Sequence, residues 1–205
     1  MVFHKKTVRD IPVDNLTVLV RVNYDLPLNK KGEIVDDFWI KSSLPTIEYL
    51  LDRGCKVVVI SHFGDPIGID KSYSLEPAAA KLARLLQQDI RFVSNVVGDG
   101  VLQAVKRAPN KSVIFLENLR FHSGEKSNSD DFARQLVSST GARYFVQDGF
   151  GIVHSKLAST EAISAFIPSV AGISLAEDYL SKLNAINRIG LKSKIILPGI
   201  DVLLD

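Results

Sequence analysis

A single cysteine, Cys55, in 205 residues excludes an internal disulfide and a cysteine-built zinc site. It stands beside the apolar run Val57-Val58-Val59-Ile60, which makes it a buried structural thiol rather than a nucleophile. Charge of neither sign dominates: 25 basic and 23 acidic residues give a net +2. The basic residues are dispersed, with no run longer than Lys5-Lys6 or Lys30-Lys31. A nucleic-acid binder would show a clustered basic excess, so no nucleic-acid partner is expected. No apolar run approaches the ~20 residues needed to cross a bilayer, and Met1 to Lys6 lacks the apolar core of a signal peptide. The expectation is a soluble protein of a reducing compartment with no membrane partner.

Generic chemical motifs are missing too. There is no glycine-rich phosphate loop ending in Gly-Lys-Ser/Thr. Gly98-Asp99-Gly100 opens a dinucleotide-type glycine pattern, but Gln103 occupies its third glycine, so a turn before a helix at Val101 is the better reading. His62 and Asp65 have no third partner at a metal-binding spacing, and no metal is expected. No nucleophile elbow is present, and Ser159-Thr160 read as the cap of a helix beginning near Glu161.

What the sequence does contain is an alternation. Apolar β-branched runs (Leu16–Val22, Lys56–Ser61, Ile90–Val93, Ser112–Glu117, Arg143–Gln147) are separated by stretches of helical periodicity (Ile40–Asp52, Glu76–Gln88, Val101–Arg107, Asp130–Ser138). Gly54 falls where a helix C-terminal glycine would. Leu175–Ile189 reads as a further amphipathic helix and Lys194–Leu197 as another strand. Fully apolar strands alternating with helices predict an α/β fold of three Rossmann-like layers, a parallel sheet with helices on both faces. Ligands of such sheets sit beyond the carboxyl ends of the strands. Polar or glycine residues follow the apolar runs at Asn23-Tyr24-Asp25, Ser61–Asp65, Glu117–Arg120 and Asp148–Gly151, which predicts one composite site. On the residues alone, Arg120 could equally pair with Glu117 or Asp148, His62 could be a hydrogen-bonded loop histidine, and Trp39 could pack on a neighbouring helix.

The same segments resemble the phosphoglycerate kinase family. Arg21-Val-Asn-Tyr-Asp-Leu-Pro-Leu28 is similar to that family's RVDFNVPL, and Val35-Asp-Asp-Phe-Trp-Ile-Lys41 with Leu44-Pro-Thr-Ile47 to TDDTRIR and LPTI. Ser61-His-Phe-Gly-Asp-Pro66 parallels SHLGRP, and Leu116-Glu-Asn-Leu-Arg-Phe-His122 matches LENLRFH throughout. Gln147–His154 parallels NDAFGTAH, His154 included, and Ala158-Ser-Thr160 and Pro168–Gly172 correspond to AST and PSVAG. The resemblance implies the N-terminal, 3-phosphoglycerate-side domain of a hinged two-domain kinase over 1–172, an interdomain-type helix over 173–190, and the opening of the nucleotide domain over 191–205. It implies a glycolytic, cytoplasmic protein. The family holds Mg-ATP or Mg-ADP on its C-terminal domain, so no cofactor is expected on this chain.

The departures are specific. Asn23 and Asp25 exchange the family's order of acid and amide, while His62 and Arg120 remain. Trp39, Asp65 and Ser155 stand where the family has arginines, and Asp65 is expected to repel an anion. A charge-assisted contact is worth about 1.5–3 kcal/mol, so these losses remove on the order of 5 kcal/mol, more than a thousandfold in affinity. The reading is therefore a degenerate cleft at Asn23, Asp25, His62 and Arg120 with no catalytic residue, in a truncated pseudoenzyme that binds 3-phosphoglycerate weakly. Two rivals accompany it. One is half of a divergent active kinase completed by a separate or downstream nucleotide domain. The other is a binding module for a cationic or aromatic ligand. Exposed apolar surface is expected over 175–197, where that domain, or a second copy by self-association, would dock.

Overall fold

The computed structural model describes residues 4–29 and 32–189, with side chains through Lys182. Among the described residues, strands β1 (Thr17–Arg21), β2 (Lys56–Ile60), β3 (Ile90–Val93), β4 (Ser112–Leu116), β5 (Tyr144–Gln147) and β6 (Ser169–Ala171) form one sheet in the order β3-β4-β2-β1-β5-β6. Every pairing is parallel. The helices are α1 (Phe38–Asp52), α2 (Glu76–Leu86), α3 (Asp99–Arg107), α4 (Ser123–Lys126), α5 (Asp130–Thr140) and α6 (Ile173–Ile189).

Period-two alternation along each strand divides the core. Val18, Val20, Val57, Val59, Val113 and Phe115 face α1 and α2, where Ile40, Ile47, Leu50 and Leu82 meet them. Leu19, Val58, Ile60, Ile114, Leu116 and Phe145 face Val101 and Val105 of α3 and Phe132 and Leu136 of α5. The expected three-layer α/β architecture is observed. Cys55 is fully buried with its thiol on the Val13 carbonyl. Gly54 takes φ +77° just after α1, and a Cβ there would meet the Asn15 side chain at 2.4 Å.

One expectation changes and one strand is new. Ser159 and Thr160 cap no helix: the turn at Ala162–Ala165 is 3-10 and Glu161 occupies its N-cap without a side-chain bond. Strand β6 went unread because three residues carry too little pattern. At the described start of α6, Leu175 and Tyr179 are buried with Phe150 and Ala171 in a small third cluster, and the side chains of 183–197, the rest of the stretch expected to expose apolar surface, lie outside the described residues. The expected strand Lys194–Leu197 lies outside the described residues. No described helix is long and apolar enough to cross a membrane.

Candidate functional site at the carboxyl ends of the strands

Because β4, β2, β1 and β5 are parallel neighbours, their carboxyl ends emerge side by side. The chain turns to opposite sides at β1 and β5, which puts the topological switch there, the position where open α/β sheets hold ligands. The four sequence-predicted strand ends therefore converge. Ser61 joins the first two: its hydroxyl accepts from the Tyr24 amide at 2.8 Å, and Val22 N–H bonds the Ile60 carbonyl at 3.0 Å. Asp25 accepts from the Gly64 amide at 2.9 Å. Asn118 fastens the same loop to β4, its amide donating to the Phe63 and Tyr73 carbonyls at 2.7 and 2.9 Å. On the other side, the turn after β5 presses against Asn23. A Cβ on Gly151 would lie 2.9 Å from Asn23 Nδ2, and one on Gly149 3.2 Å from the Asn23 amide. The glycines of Asp148–Gly151 are needed for that approach. Asn23 Oδ1 is buried with no partner.

Under this rim lies a buried polar network. Alternation puts Arg21, the last residue of β1, on the same face as Leu19, and its side chain is fully buried. Its Nε donates to Ser159 Oγ at 2.8 Å, Nη1 to the Val22 carbonyl at 2.5 Å, and Nη2 meets His62 Nδ1 at 2.9 Å. Glu125, also fully buried, lies 3.8 Å from Nη2 and accepts from Ser159 Oγ at 2.6 Å. Burial pushes Arg21 down to about 10 while Glu125 holds it up, so the guanidinium stays charged near neutral pH. A guanidinium only donates, so His62 Nδ1 must accept and the proton of the neutral ring sits on Nε2. His62 is 3% exposed, and burial, with Arg21 and Arg120 adding to it, pushes it down to about 2. Arg21, Glu125, Ser159 and Asn118 were missed as site-building residues. The available signal was a charged residue closing an apolar strand, which is buried only when paired.

Arg120 pairs with neither Glu117 nor Asp148. Its Nη1 donates to the Gly64 carbonyl and lies 3.7 Å from Asp65 Oδ1, while its Nε is buried without a partner. Glu117 is instead satisfied by Ser74 Oγ and the Leu75 and Asn118 amides. Asp65 does not stand as a bare repulsive charge. Lys126 Nζ meets both of its oxygens, at 2.7 and 3.0 Å, and holds its carboxyl below the usual range. Trp39 is half-buried, packed on the α1 and α2 side of the core with an edge contact to Phe38 at 5.2 Å. Ser155 sits half-buried in the turn after β5, and His154 beside it is exposed. The structure thus gathers Asn23, Asp25, His62, Asp65 and Arg120 around one rim, and gives Trp39 a packing role.

A sequence model of the phosphoglycerate kinase family matches residues 8–202. The chain belongs to the phosphoglycerate kinase family. It is 42% identical to the phosphoglycerate kinase of Coprothermobacter proteolyticus over 181 residues, 87% of this chain and 46% of that protein. It is also 42% identical to that of Aquifex aeolicus over 175 residues, 85% of this chain and 44% of the relative. Among solved structures it superposes on phosphoglycerate kinase from Pyrococcus horikoshii with TM-score 0.77 and 28% identity, covering 92% of this chain and 46% of the other. Phosphoglycerate kinase from Coxiella burnetii gives TM-score 0.76 and 25% identity, over 93% and 46%. The chain spans less than half the length of these phosphoglycerate kinase relatives.

Proposed function

We propose that this chain carries the 3-phosphoglycerate-side cleft of phosphoglycerate kinase in a degenerate form, and that alone it does not transfer a phosphoryl group between 1,3-bisphosphoglycerate and ADP. Such transfer depends on positive groups aimed at the phosphoryl oxygens in a water-excluding site. The observation that carries the reading is the state of Arg120. Among Trp39, Asp65, Arg120 and Ser155, which all stand at family arginine positions, it is the one cation, and a backbone carbonyl and the Asp65 carboxylate take up its Nη1. Trp39 and Ser155 bring no charge to replace what is lost. His62, neutral and bonded to Arg21, offers one N–H and no charge. This is a pseudoenzyme reading of a glycolytic, cytoplasmic kinase fold.

Calorimetric titration of the purified chain with 3-phosphoglycerate at low ionic strength, with a kinase assay alongside, tests it. No heat up to millimolar ligand and no turnover are expected. Micromolar binding abolished by Arg120→Ala, or steady-state turnover, overturns it. A second reading, half of a divergent active kinase completed by a separate or downstream nucleotide domain, is supported by 42% identity to a relative of which this chain covers 46%. Turnover that appears only when a relative's nucleotide domain is added supports that reading and counts against the pseudoenzyme.

A further inference from the structure

We propose that the outer edge of β3 pairs with the same edge of a second copy of this chain, antiparallel and with Ile90 on the two-fold axis, so that two sheets join into one. The pairing does not depend on the state of the cleft.

The two edges of the sheet differ. At β6 the Ala171 amide donates to the Lys6 carbonyl at 3.0 Å and Thr7 bridges to Ala171, so the N-terminal segment covers that edge. Strand β3 has β4 on one side and, among the described residues, no strand on the other. The Glu117 amide donates to the Val93 carbonyl at 2.9 Å, which turns the Val93 backbone towards β4. Alternation along the parallel ladder turns Arg91 the same way, and the amides and carbonyls of Ile90 and Phe92 away from β4. Among the described residues nothing bonds these outward groups. Such a row is a template for another strand. Helices α2 and α3 join β3 to strands on its inner side and leave the outer side open. Asp89 and Arg91 are exposed and Ile90 and Phe92 only half-buried, whereas β1, β2 and β4 are buried from their second residue on.

Charge selects the occupant and the register. Asp89 and Arg91 have no ionic partner among the described residues. A two-fold axis normal to the sheet sets β3 antiparallel against itself. With the axis at Arg91, two guanidinium groups face each other. With the axis at Phe92, Arg91 faces the partner's Val93 and gains no ion pair. With the axis at Ile90, each Asp89 stands directly across from the partner's Arg91, twice, at the closely spaced positions where opposite charges attract most. In that register Ile90 exchanges amide and carbonyl bonds with the partner's Ile90, and the Phe92 amide faces the partner's Gln88 carbonyl. A charge on an edge strand ordinarily discourages pairing. Here its opposite lies two residues earlier and makes the edge complementary to itself. Four residues of strand make a contact smaller than stable interfaces use, so the dimer is weak, half-formed on the order of 100 µM.

Sedimentation equilibrium of the purified chain at low salt, from about 10 µM to about 1 mM, tests the pairing. It compares the unaltered chain, Asp89→Arg, Arg91→Asp, an equal mixture of these two variants, and the double exchange Asp89→Arg with Arg91→Asp. The unaltered chain is expected to dimerise, and amide hydrogen exchange at Ile90 and Phe92 to slow as its concentration rises. Each single variant sets like charges opposite each other twice and should weaken the dimer about tenfold or more. The mixture should restore it, because one variant then offers two acids and the other two bases. The double exchange should restore it within one chain at unchanged net charge. Both positions are exposed, and far-UV circular dichroism checks that each variant is folded. A monomer throughout the concentration range overturns the proposal. So does a dimer indifferent to the single exchanges, which would place self-association on another surface, or a loss that neither the mixture nor the double exchange reverses.

Discussion

His62 and Asp148 close neighbouring parts of the same rim, both buried, and burial drives their titrations in opposite directions. His62 is pushed from an ordinary 6.5 down to about 2, first by burial and then by Arg21 and Arg120. Asp148 is pushed from 3.8 up to about 7 by burial, against hydrogen bonds from Thr46, Ser174 and the Leu175 amide. For His62 the folded value lies below the unfolded one, so its contribution is fully present above about pH 6.5 and is lost as pH falls. For Asp148 the folded value lies above, so its contribution is fully present below about pH 3.8 and is lost as pH rises towards 7. The two slopes oppose each other in mildly acidic solution, each at up to about 1.4 kcal/mol per pH step. Urea unfolding across that window should show stability rising with pH in Asp148→Asn and falling with pH in His62→Gln. Slopes of the same sign in the two variants would contradict this assignment.

At the scale of elements, α6 is held by polar contacts at its first residues. The Ile173 amide donates to Thr46 Oγ1 at 2.9 Å, the Leu175 amide to Asp148 Oδ1 at 3.1 Å, and Ser174 Oγ to the Ser42 carbonyl. Thr46 on α1 and Asp148 at the end of β5 thus both accept from the first residues of α6. Thr46→Val preserves shape and orphans the buried Ile173 amide, which should cost about 1–3 kcal/mol in urea unfolding. A change below half of one kcal/mol would mean that the contact does not hold α6. The elements themselves were largely legible. Long apolar alternation such as Lys56–Ile60 fixes strands, and Phe38–Asp52 carries enough periodicity to be read to within two residues. Ser159 was misread because a serine before a turn looks like a cap, whereas Glu125, distant in sequence, claims its hydroxyl at 2.6 Å. The site positions were legible at strand ends. Their partners were not: no local pattern shows that Asp65 meets Lys126, or that Arg21 meets His62 and Ser159 across 41 and 138 residues of chain.

For the molecule as a whole, the sheet is the shared wall of two cores, and the Arg21 network crosses from it to α4 and the segment after β5. Arg21 lies on the α3 and α5 side, while the chain's one tryptophan, Trp39, packs on the opposite side with α1. Removing Arg21 leaves Glu125 buried with only Ser159 to satisfy it, at a cost of about 3–5 kcal/mol. Replacing both partners by apolar residues, Arg21→Met with Glu125→Leu, removes the stranded charge and should recover most of that loss. If the two cores stand or fall together through the sheet, Trp39 fluorescence and far-UV circular dichroism report the same urea transition in the unaltered chain, and Arg21→Ala moves both midpoints down together. Loss on the Arg21 side would then be felt at a tryptophan that no bond connects to it. A Trp39 transition that stays in place while the circular dichroism transition shifts would mean that the two faces unfold separately. The buried pair would then govern only its own half of the fold.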